Sequence, residues 1–385
     1  MKARPRIGLV LQGGGARGAY QIGALKAITE LVSDRRSPIS VFSGTSVGAI
    51  NAAPLAASAC NLRRGVARLE RLWRGLHCGS IYDTRSRAII AKSAQWVLTL
   101  ALGGFGVGNP RSLLDNAPLH RLLQREFRRD GLEHAIRSGA LHALCITASS
   151  YGGGRAITFF EGADEIEEWH RARRHGRRAR IDLSHLMASS ALPFLFPAVP
   201  IGNRYFGDGA LRLTAPLSPA IRAGADRLLV IGARDNIESD EDAPDDYPSI
   251  GEIVGHSLDI LFNDNLDADL ERLSRVNRTL QLVPDKEAAE MNLRVIDTVM
   301  IQPSRDLRQL AVDHLDEMPG SIRFLLRSLG SWGDRNGRLT SYLLFEPGYI
   351  SKLVDLAYED TMNQADDVHR LFFGSAYHDT GARAD

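Results

Sequence analysis

Residues 7 to 18 read Ile-Gly-Leu-Val-Leu-Gln-Gly-Gly-Gly-Ala-Arg-Gly, a short apolar run that ends in a cluster of glycines. The apolar run is typical of a buried strand, and Tyr20 to Leu31 then has the spacing of a helix. A second short strand is predicted at Ile39 to Ser43, followed by a helix of small residues at Val47 to Cys60. This β-α-β-α order favours a mainly parallel sheet that is covered by helices.

Four later segments also have the pattern of strands. They are Leu141 to Ser149, a hairpin over Val199 to Phe206 that turns at residues 202 and 203, Leu228 to Gly232, and Val299 to Ile301. Beyond Ser249 the rest of the chain has a helical pattern. Because there is no internal repeat and no linker, we expect one functional domain. Its core is residues 5–235, and a mostly helical part, residues 249–385, packs on that core.

The composition is that of an ordinary globular protein, with 385 residues, 44% hydrophobic and 24% charged. It excludes disordered, collagen-like and disulfide-scaffold proteins. The formal net charge is only +1, so no overall field attracts nucleic acid. No group of His, Cys or carboxylate residues has the spacing of metal ligands, and we expect neither a metal nor an organic cofactor. Three cysteines without paired spacing fit a reducing compartment, which predicts a cytoplasmic protein.

Three segments raise the question of a membrane or surface role. Trp96 to Gly108 is apolar but has only 13 residues, too few to span a bilayer. It is predicted either as a core helix or as a segment that caps the site or meets the bilayer. Arg171 to Arg180 holds six arginines in ten residues, and Asp235 to Asp246 is acidic. Solvated loops are the favoured interpretation of both, with a membrane-facing role for the arginine run as the alternative.

Gly13 to Gly18 satisfies the pattern G-x-G-x-x-G between a predicted strand and a predicted helix, which suggests a dinucleotide site. Such a site needs an acidic residue at the end of the second strand to hold the ribose. Here that strand runs into Ser43-Gly-Thr-Ser46, and the nearby Asp34 precedes the strand. What remains is a glycine-rich turn whose backbone N–H groups bind a phosphate or stabilise an oxyanion.

The segment Gly44-Thr45-Ser46-Val47-Gly48 favours the second of these uses. It is a G-x-S-x-G pattern placed after a strand and before a helix, the setting that a nucleophile elbow requires. Gly44 and Gly48 let the backbone turn sharply, and the helix that begins at Val47 directs its positive end toward developing charge. Ser46 is therefore the candidate nucleophile.

A serine nucleophile needs a base. Among the eleven histidines none stands in an equally constrained position, and His256, His314 and His369 are predicted on helical stretches. The segment Phe206-Gly-Asp-Gly-Ala210 ends the predicted hairpin. Its Asp208 belongs either to a plain turn or to a close approach between loops, where it acts as the base.

Together, the glycine-rich turn, the elbow and the Asp208 motif occur in the order found in the patatin-like phospholipases, which this chain resembles. Further matches are Ala188-Ser-Ser-Ala-Leu-Pro193 with Phe196-Pro197, and Leu114-Asp115 with Pro118-Leu119. The resemblance covers about residues 5 to 365. It implies a three-layer α/β/α fold with a mainly parallel central sheet and a helical C-terminal part.

The resemblance also implies roles for the residues of the site. Ser46 and Asp208 would form a catalytic dyad, with Gly209 and Ala210 completing the aspartate motif. The oxyanion hole and its supporting residues would be Gly13, Gly14, Gly15, Arg17 and Gly18. The chain departs from many relatives at residues 210–214, where those relatives carry a glycine and then asparagines. This departure affects only the surroundings of the dyad.

The implied activity is hydrolysis of fatty-acyl esters through an acyl-enzyme, as in a phospholipase A or a lysophospholipase. The substrate would be a phospholipid or another acyl lipid. The protein would contact a membrane peripherally, for example its inner face, and its oligomeric state stays open. A carboxylesterase or an acyl-thioesterase would use the same dyad. A Ser-His-Asp hydrolase would need one of the histidines, and a catalytically idle binding protein would have lost the dyad that this chain keeps.

Overall fold

The computed structural model describes residues 5–32, 37–101, 111–233, 247–284, 293–332 and 337–374 of the chain. In this part ten strands form one sheet. They are β1 Ile7–Leu11, β2 Ile39–Thr45, β3 Ala143–Ser150, β4 Arg155–Gly162, β5 Trp169–Arg171, β6 Arg174–Arg178, β7 Val199–Ile201, β8 Arg204–Asp208, β9 Arg227–Ile231 and β10 Asp297–Ile301.

The order of the strands is β10-β9-β1-β2-β3-β4-β6-β5, and β8 pairs with both β3 and β7. Every neighbouring pair from β10 to β3 is parallel. In contrast, β3 is antiparallel to β4 and to β8. The mostly parallel α/β sheet predicted from the sequence is confirmed.

One edge of β3 is shared by two strands. Residues Val41 to Thr45 of β2 pair with Ala143 to Thr147, and the next residue, Ala148, pairs with Asp208 of β8. Because β2 and β8 run in opposite directions along this edge, their C-terminal ends meet. The residue that follows β2 therefore lies beside the last residue of β8.

The described helices cover both faces of the sheet. They are α1 Ala19–Leu31, α2 Val47–Ala56, α3 Leu62–Arg74, α4 Cys78–Ile81, α5 Ser86–Ala101, α6 Ala117–Glu126, α7 Arg129–Arg137, α8 Leu183–Ser189, α9 Ser218–Arg222, α10 Ile250–Asp259, α11 Asn265–Leu280, α12 Leu307–Val312, α13 Gly320–Ser328, α14 Gly337–Leu343, α15 Pro347–Met362 and α16 Ala365–Phe373. Short 3₁₀ turns lie at Gly15–Gly18, Ala59–Asn61, Gly209–Leu211 and Leu315–Glu317, and a π-helical turn, Ile260–Asp264, joins α10 to α11.

Side chains of β1 alternate between two cores, one on each face of the sheet. Leu9 and Leu11 belong to the larger core, together with residues of α1, α2, α3 and α15. Val10 belongs to the second core, which includes residues of α9 and α11. Within the larger core α15 packs along α1, and the Tyr20 hydroxyl donates a hydrogen bond of 2.8 Å to Asp360. Helices from the C-terminal part thus complete both layers around the sheet.

The predicted strands are all present, with bounds that differ by no more than two residues at either end. The helix predicted from Val47 to Cys60 is shorter and ends at Ala56. A 3₁₀ turn, Ala59–Asn61, follows it, and the Asn61 side chain then begins α3 by accepting a hydrogen bond from the Arg64 amide.

The prediction of a solvated loop at Arg171 to Arg180 is wrong. Its residues form a hairpin, β5 and β6, whose strand β6 pairs with β4 at the edge of the sheet. The Arg178 guanidinium donates to the carbonyls of Gly162 and Ile166 and lies 5.2 Å from the centre of the Phe160 ring. Charged residues are common on edge strands, so the charge of the run did not exclude a strand.

Two other predictions fall partly or wholly outside the described residues. Asp235 to Asp246 lies outside them, as do residues 102–108 of the apolar segment. The first part of that segment, from Trp96, belongs to α5. No helix within the described ranges is long and apolar enough to cross a bilayer.

Candidate active site

Ser46 stands at the sharp turn between β2 and α2, where its backbone has φ 56° and ψ −127°. This conformation is costly for a residue that has a side chain. The Ser46 carbonyl accepts hydrogen bonds from the amides of Ala49 and Ile50 at 2.9 and 3.3 Å, so Ser46 is the N-cap of α2. Such strain persists only where the surrounding structure imposes it, and it is concentrated at functional sites.

Close backbone contacts explain the two glycines of the elbow. A Cβ atom on Gly48 would collide with the carbonyls of Leu11 and Gln12, which end β1 and begin the glycine-rich turn. A Cβ atom on Gly44 would collide with the carbonyl of Gly48. The first turn of α2 can therefore lie directly against the end of β1, and this contact brings the elbow beside the glycine-rich turn.

Asp208 ends β8 and is completely buried. Its Oδ1 accepts a hydrogen bond of 2.9 Å from the Ala210 amide, and its own amide donates to the Ala191 carbonyl, also at 2.9 Å. Among the described residues Oδ2 has no hydrogen-bond partner. One oxygen of the carboxyl is thus fixed by the backbone, and the other is buried without such a bond.

Burial raises the pKa of the Asp208 carboxyl from its ordinary 3.8 to about 7. The Ser46 hydroxyl and the Ala210 amide both favour the charged form and limit this rise. A carboxyl whose pKa lies near 7 is well matched to proton transfer at neutral pH. The role of this aspartate as a base stays a prediction, and burial gives its carboxyl a higher pKa than that of an ordinary carboxylate.

Ser189, at the end of α8, holds the elbow and was not predicted as a functional residue. Its hydroxyl accepts a hydrogen bond of 3.0 Å from the Ser46 amide and donates one of 2.6 Å to the Thr147 carbonyl of β3. The side chain is fully buried. The only sequence signal was its place in the family-like segment Ala188 to Pro193. Ser189 links the strained backbone of Ser46 to the strand on which Ser46 and Asp208 meet.

The glycine-rich turn lies beside the elbow. Gly14 has φ 154° and ψ 13°, a backbone conformation that requires glycine. A Cβ atom on Gly13 would lie only 3.1 Å from the Ser46 Cβ. Gly15 and Ser46 line the same cleft. Within the described ranges the amides of Gly14 and Gly15 donate no backbone hydrogen bond.

Arg17 is buried and fully engaged beneath the glycine-rich turn. Its Nε and Nη2 donate to the Ser341 hydroxyl at 2.9 and 2.7 Å, and its Nη1 lies 3.2 Å from Asp259 Oδ1. The guanidinium also lies 4.0 Å from the centre of the Tyr342 ring. These contacts are those of an anchor that ties the turn to α10 and α14.

A second buried network joins the turn to α1, α2 and α3. The Asn51 amide nitrogen donates to the Gly18 carbonyl at 3.1 Å and to Gln21 at 2.9 Å. Asn51 in turn accepts from the Trp73 indole at 2.9 Å. Sequence patterns gave no sign of this network, because each member has the appearance of an ordinary helical residue.

A narrow apolar cleft leads away from Ser46. Its enclosed volume is about 60 Å³, and most of its lining residues are apolar, eight of them leucines. Glu126 and Phe127 also line it, and the Glu126 carboxylate is paired with Arg68 at 2.9 Å. Apolar walls beside a serine hydroxyl suit a hydrocarbon chain better than a polar substrate.

The histidines considered as alternative bases lie in helices or turns, and two of them pair with carboxylates other than Asp208. His185, in α8, pairs with Asp182 at 2.8 Å and packs against the Phe159 ring. His256 lies in α10 and His369 in α16, whereas His314 lies in a turn and pairs with Glu317 at 2.8 Å. No group of three or more potential metal ligands occurs among the residues that the structure describes.

A family model described as patatin-like phospholipase matches residues 9–221. The chain belongs to the patatin-like phospholipase family. The matched region contains the glycine-rich turn, the elbow and Asp208, so the resemblance seen in the three motifs is confirmed over more than half of the chain.

This patatin-like phospholipase family member is also similar to one curated protein in sequence and to solved structures in fold. The lysophospholipase nte1 of Aspergillus terreus is 39% identical over 74 residues, which cover 18% of this chain and 5% of that protein. VipD from Legionella pneumophila has a TM-score of 0.40 and 13% identity, over 94% of this chain and 67% of its own. Human GIVD cytosolic phospholipase A2 in complex with methyl γ-linolenyl fluorophosphonate has a TM-score of 0.38 and 12% identity, over 96% of this chain and 59% of its own.

Proposed function

We propose that this protein is a serine lipid acyl hydrolase of the phospholipase A or lysophospholipase type, with Ser46 as nucleophile and Asp208 as base. One observation carries the proposal. The C-terminal ends of β2 and β8 meet on the same edge of β3, which brings a strained serine beside a buried carboxyl whose pKa is raised to about 7.

In the first step, the Ser46 Oγ attacks the ester carbonyl carbon while its proton passes to Asp208 Oδ2. The negative charge that develops on the carbonyl oxygen is stabilised by backbone amides of the glycine-rich turn, with Gly14 and Gly15 as the main donors. The positive end of α2 points to the same region and adds to this stabilisation. No histidine is needed, because burial makes the carboxyl basic enough to accept the proton.

In the second step, the bond between the carbonyl carbon and the leaving oxygen breaks. Asp208 returns the proton to that oxygen, which leaves as an alcohol such as a lysolipid. The acyl group remains as an ester on Ser46. Asp208 then takes a proton from water, and the hydroxide attacks the carbonyl carbon of the acyl-enzyme. The bond between that carbon and the Ser46 Oγ breaks, Asp208 returns the proton to Oγ, and the fatty acid leaves.

The acyl chain would occupy the apolar cleft that begins at Ser46. Its volume of about 60 Å³ is well below the roughly 300 Å³ of a small ligand pocket, so a long chain must displace leucine side chains as it enters. The same narrowness favours a second candidate, a carboxylesterase or acyl-thioesterase that acts on short acyl groups with the same dyad.

Peripheral contact with a membrane and a cytoplasmic location belong to the same proposal. In α5 the Leu98 side chain, which belongs to the predicted cap segment, is exposed, and an exposed apolar side chain on a helix suits insertion into the surface of a bilayer. Leu98→Ser should lower hydrolysis of phospholipid vesicles and spare hydrolysis of a soluble short-chain ester. Equal activity of the variant on both substrates would contradict a role of α5 in membrane contact.

Covalent labelling tests the nucleophile. A fluorophosphonate should modify only the peptide that carries Ser46, and Ser46→Ala should abolish both labelling and turnover. Ser190→Ala is the matched control, because Ser190 lines the same cleft and, among the described residues, its hydroxyl donates to carbonyls of α8. Labelling of another residue together with an active Ser46→Ala variant would contradict the assignment.

A panel of substrates separates the two candidate functions. Phospholipids and lysophospholipids with long acyl chains should be cleaved faster than short soluble esters and thioesters if the lipid assignment is right. The opposite order, with labelling of Ser46 intact, would favour the esterase or thioesterase. Liquid chromatography with mass spectrometry of the released acids gives this order directly.

A further inference from the structure

A wide polar cleft lies at the opposite end of the parallel sheet from Ser46. Its volume is about 1000 Å³. Arg6, His142 and Ile296 line it, and these residues directly precede β1, β3 and β10. Ser46 instead follows the C-terminal end of β2. The proposed hydrolase mechanism uses no residue of this cleft.

Three arginines from two separate elements face this cleft. Arg171 and Arg174 stand opposite each other in the β5–β6 ladder, so their side chains share one face of the hairpin. Arg222 ends α9 on another wall of the cleft. Two arginines of the run from Arg171 to Arg180 therefore lie on the wall of a cleft rather than in an open loop.

None of these three guanidinium groups forms a salt bridge among the described residues, although the charge of Arg174 acts on the Asp269 carboxylate. Glu165, Glu167, Glu168 and Asp269 also line the cleft. The other arginines of the cleft are paired: Arg6 with Glu165 at 3.6 Å, Arg272 with Asp269 at 2.9 Å, and Arg294 with Asp226 at 3.4 Å. Burial, and then the charges of Arg171 and Arg174, lower the pKa of Arg222. Three positive charges thus repel one another across the cleft, and an anion placed between them would relieve that repulsion.

We propose that this cleft binds a small soluble anion that bears a phosphate group, held by Arg171, Arg174 and Arg222. The planar fork of a guanidinium matches the geometry of phosphate oxygens, and such charge-assisted hydrogen bonds are among the strongest in proteins. A soluble ligand fits better than a lipid headgroup. A lipid held here would have its acyl ester at the wrong end of the sheet to reach Ser46.

Titration calorimetry of the full chain with inorganic phosphate and with pyrophosphate tests the proposal. Arg174→Gln combined with Arg222→Gln should weaken pyrophosphate binding at least about tenfold, because each arginine contributes charged hydrogen bonds. Arg177→Gln is the matched control. Arg177 belongs to the same strand but alternates to its other face and does not line the cleft. This control should bind within about twofold of the natural protein.

Two further measurements make the result decisive. Hydrolysis of a soluble ester by the double variant should be unchanged, which separates this site from the proposed catalytic function. Circular dichroism should show that both variants fold. No binding of either anion in the millimolar range, or equal binding by the double variant, would overturn the proposal. Binding confined to vesicles that contain phosphatidic acid, with none of pyrophosphate, would also overturn the choice of a soluble ligand.

Discussion

The buried carboxyl of Asp208 should make the protein less stable as the pH rises. Its pKa is about 7 in the folded protein, against an ordinary 3.8. A group whose pKa is raised on folding stabilises the folded state below its unfolded pKa, and this contribution is lost as the pH rises through the folded value. The gap of about three pH units corresponds to roughly 4 kcal/mol of unfolding free energy by pH 8.

Asp208→Asn isolates this contribution, because the amide keeps the shape of the side chain and an oxygen that can accept from the Ala210 amide. At pH 5 the carboxyl is already ionised in the unfolded chain but still protonated in the folded protein. Part of the loss of unfolding free energy caused by the raised pKa of Asp208 is therefore already present at that pH. The free energy of unfolding of the variant, relative to the natural protein, should therefore rise by about 3 kcal/mol between pH 5 and pH 8. Any constant packing cost of the amide cancels in this comparison.

Urea unfolding at pH 5 and pH 8 measures the difference. Asp306→Asn is the matched control. Burial alone would raise the pKa of the Asp306 carboxyl, but hydrogen bonds and the charge of Arg308 more than offset it and lower the pKa. Its effect on stability should hence be constant between pH 5 and pH 8. A constant difference for Asp208→Asn as well would refute the raised pKa, and an active Asp208→Asn enzyme would refute the role of the carboxyl as base.

Four other outcomes are expected. The value of kcat/KM on a soluble ester should rise with pH around a midpoint near 7, as Asp208 loses its proton, and a midpoint near 4 would contradict this. Ser189→Ala should lower kcat about tenfold or more while the protein stays folded, because the Ser46 amide loses its acceptor; unchanged kcat would remove Ser189 from the site. Arg17→Ala should lower the free energy of unfolding by about 3 kcal/mol, since it removes a buried guanidinium from its contacts with Ser341, Asp259 and the Tyr342 ring, and should affect neutral and anionic substrates equally; a selective loss on anionic substrates would instead indicate contact with the lipid phosphate. His185→Gln should keep most activity, because its ring pairs with a surface carboxylate rather than with the dyad, and an inactive but folded variant would require a triad.

The sequence by itself determined the parts of the site that depend on local backbone geometry. Gly44 and Gly48 permit a sharp turn, and Gly14 takes a backbone angle open only to glycine, so the elbow and the glycine-rich turn could be recognised from residue types and spacing. The apolar runs of β1, β2 and β9 were recognisable for a similar reason. Strands buried in a parallel sheet need apolar residues on both faces.

The tertiary structure decided which distant residues meet and in what surroundings. Ser46 and Asp208 come together only because β2 and β8 end against each other on one edge of β3, a register that no local pattern encodes. The raised pKa of Asp208 results from its complete burial, and that burial depends on segments from distant parts of the chain that pack around it.

The two arginine features show the same division. Arg17 was predicted beside the glycine-rich turn, but its partners Asp259 and Ser341 come from helices far along the chain. The run from Arg171 to Arg180 has the composition of a solvated loop, yet it forms a hairpin because β4 offers a free sheet edge to pair with. Composition reports how residues prefer to contact water, whereas pairing and burial depend on the partners that the whole chain brings to each place.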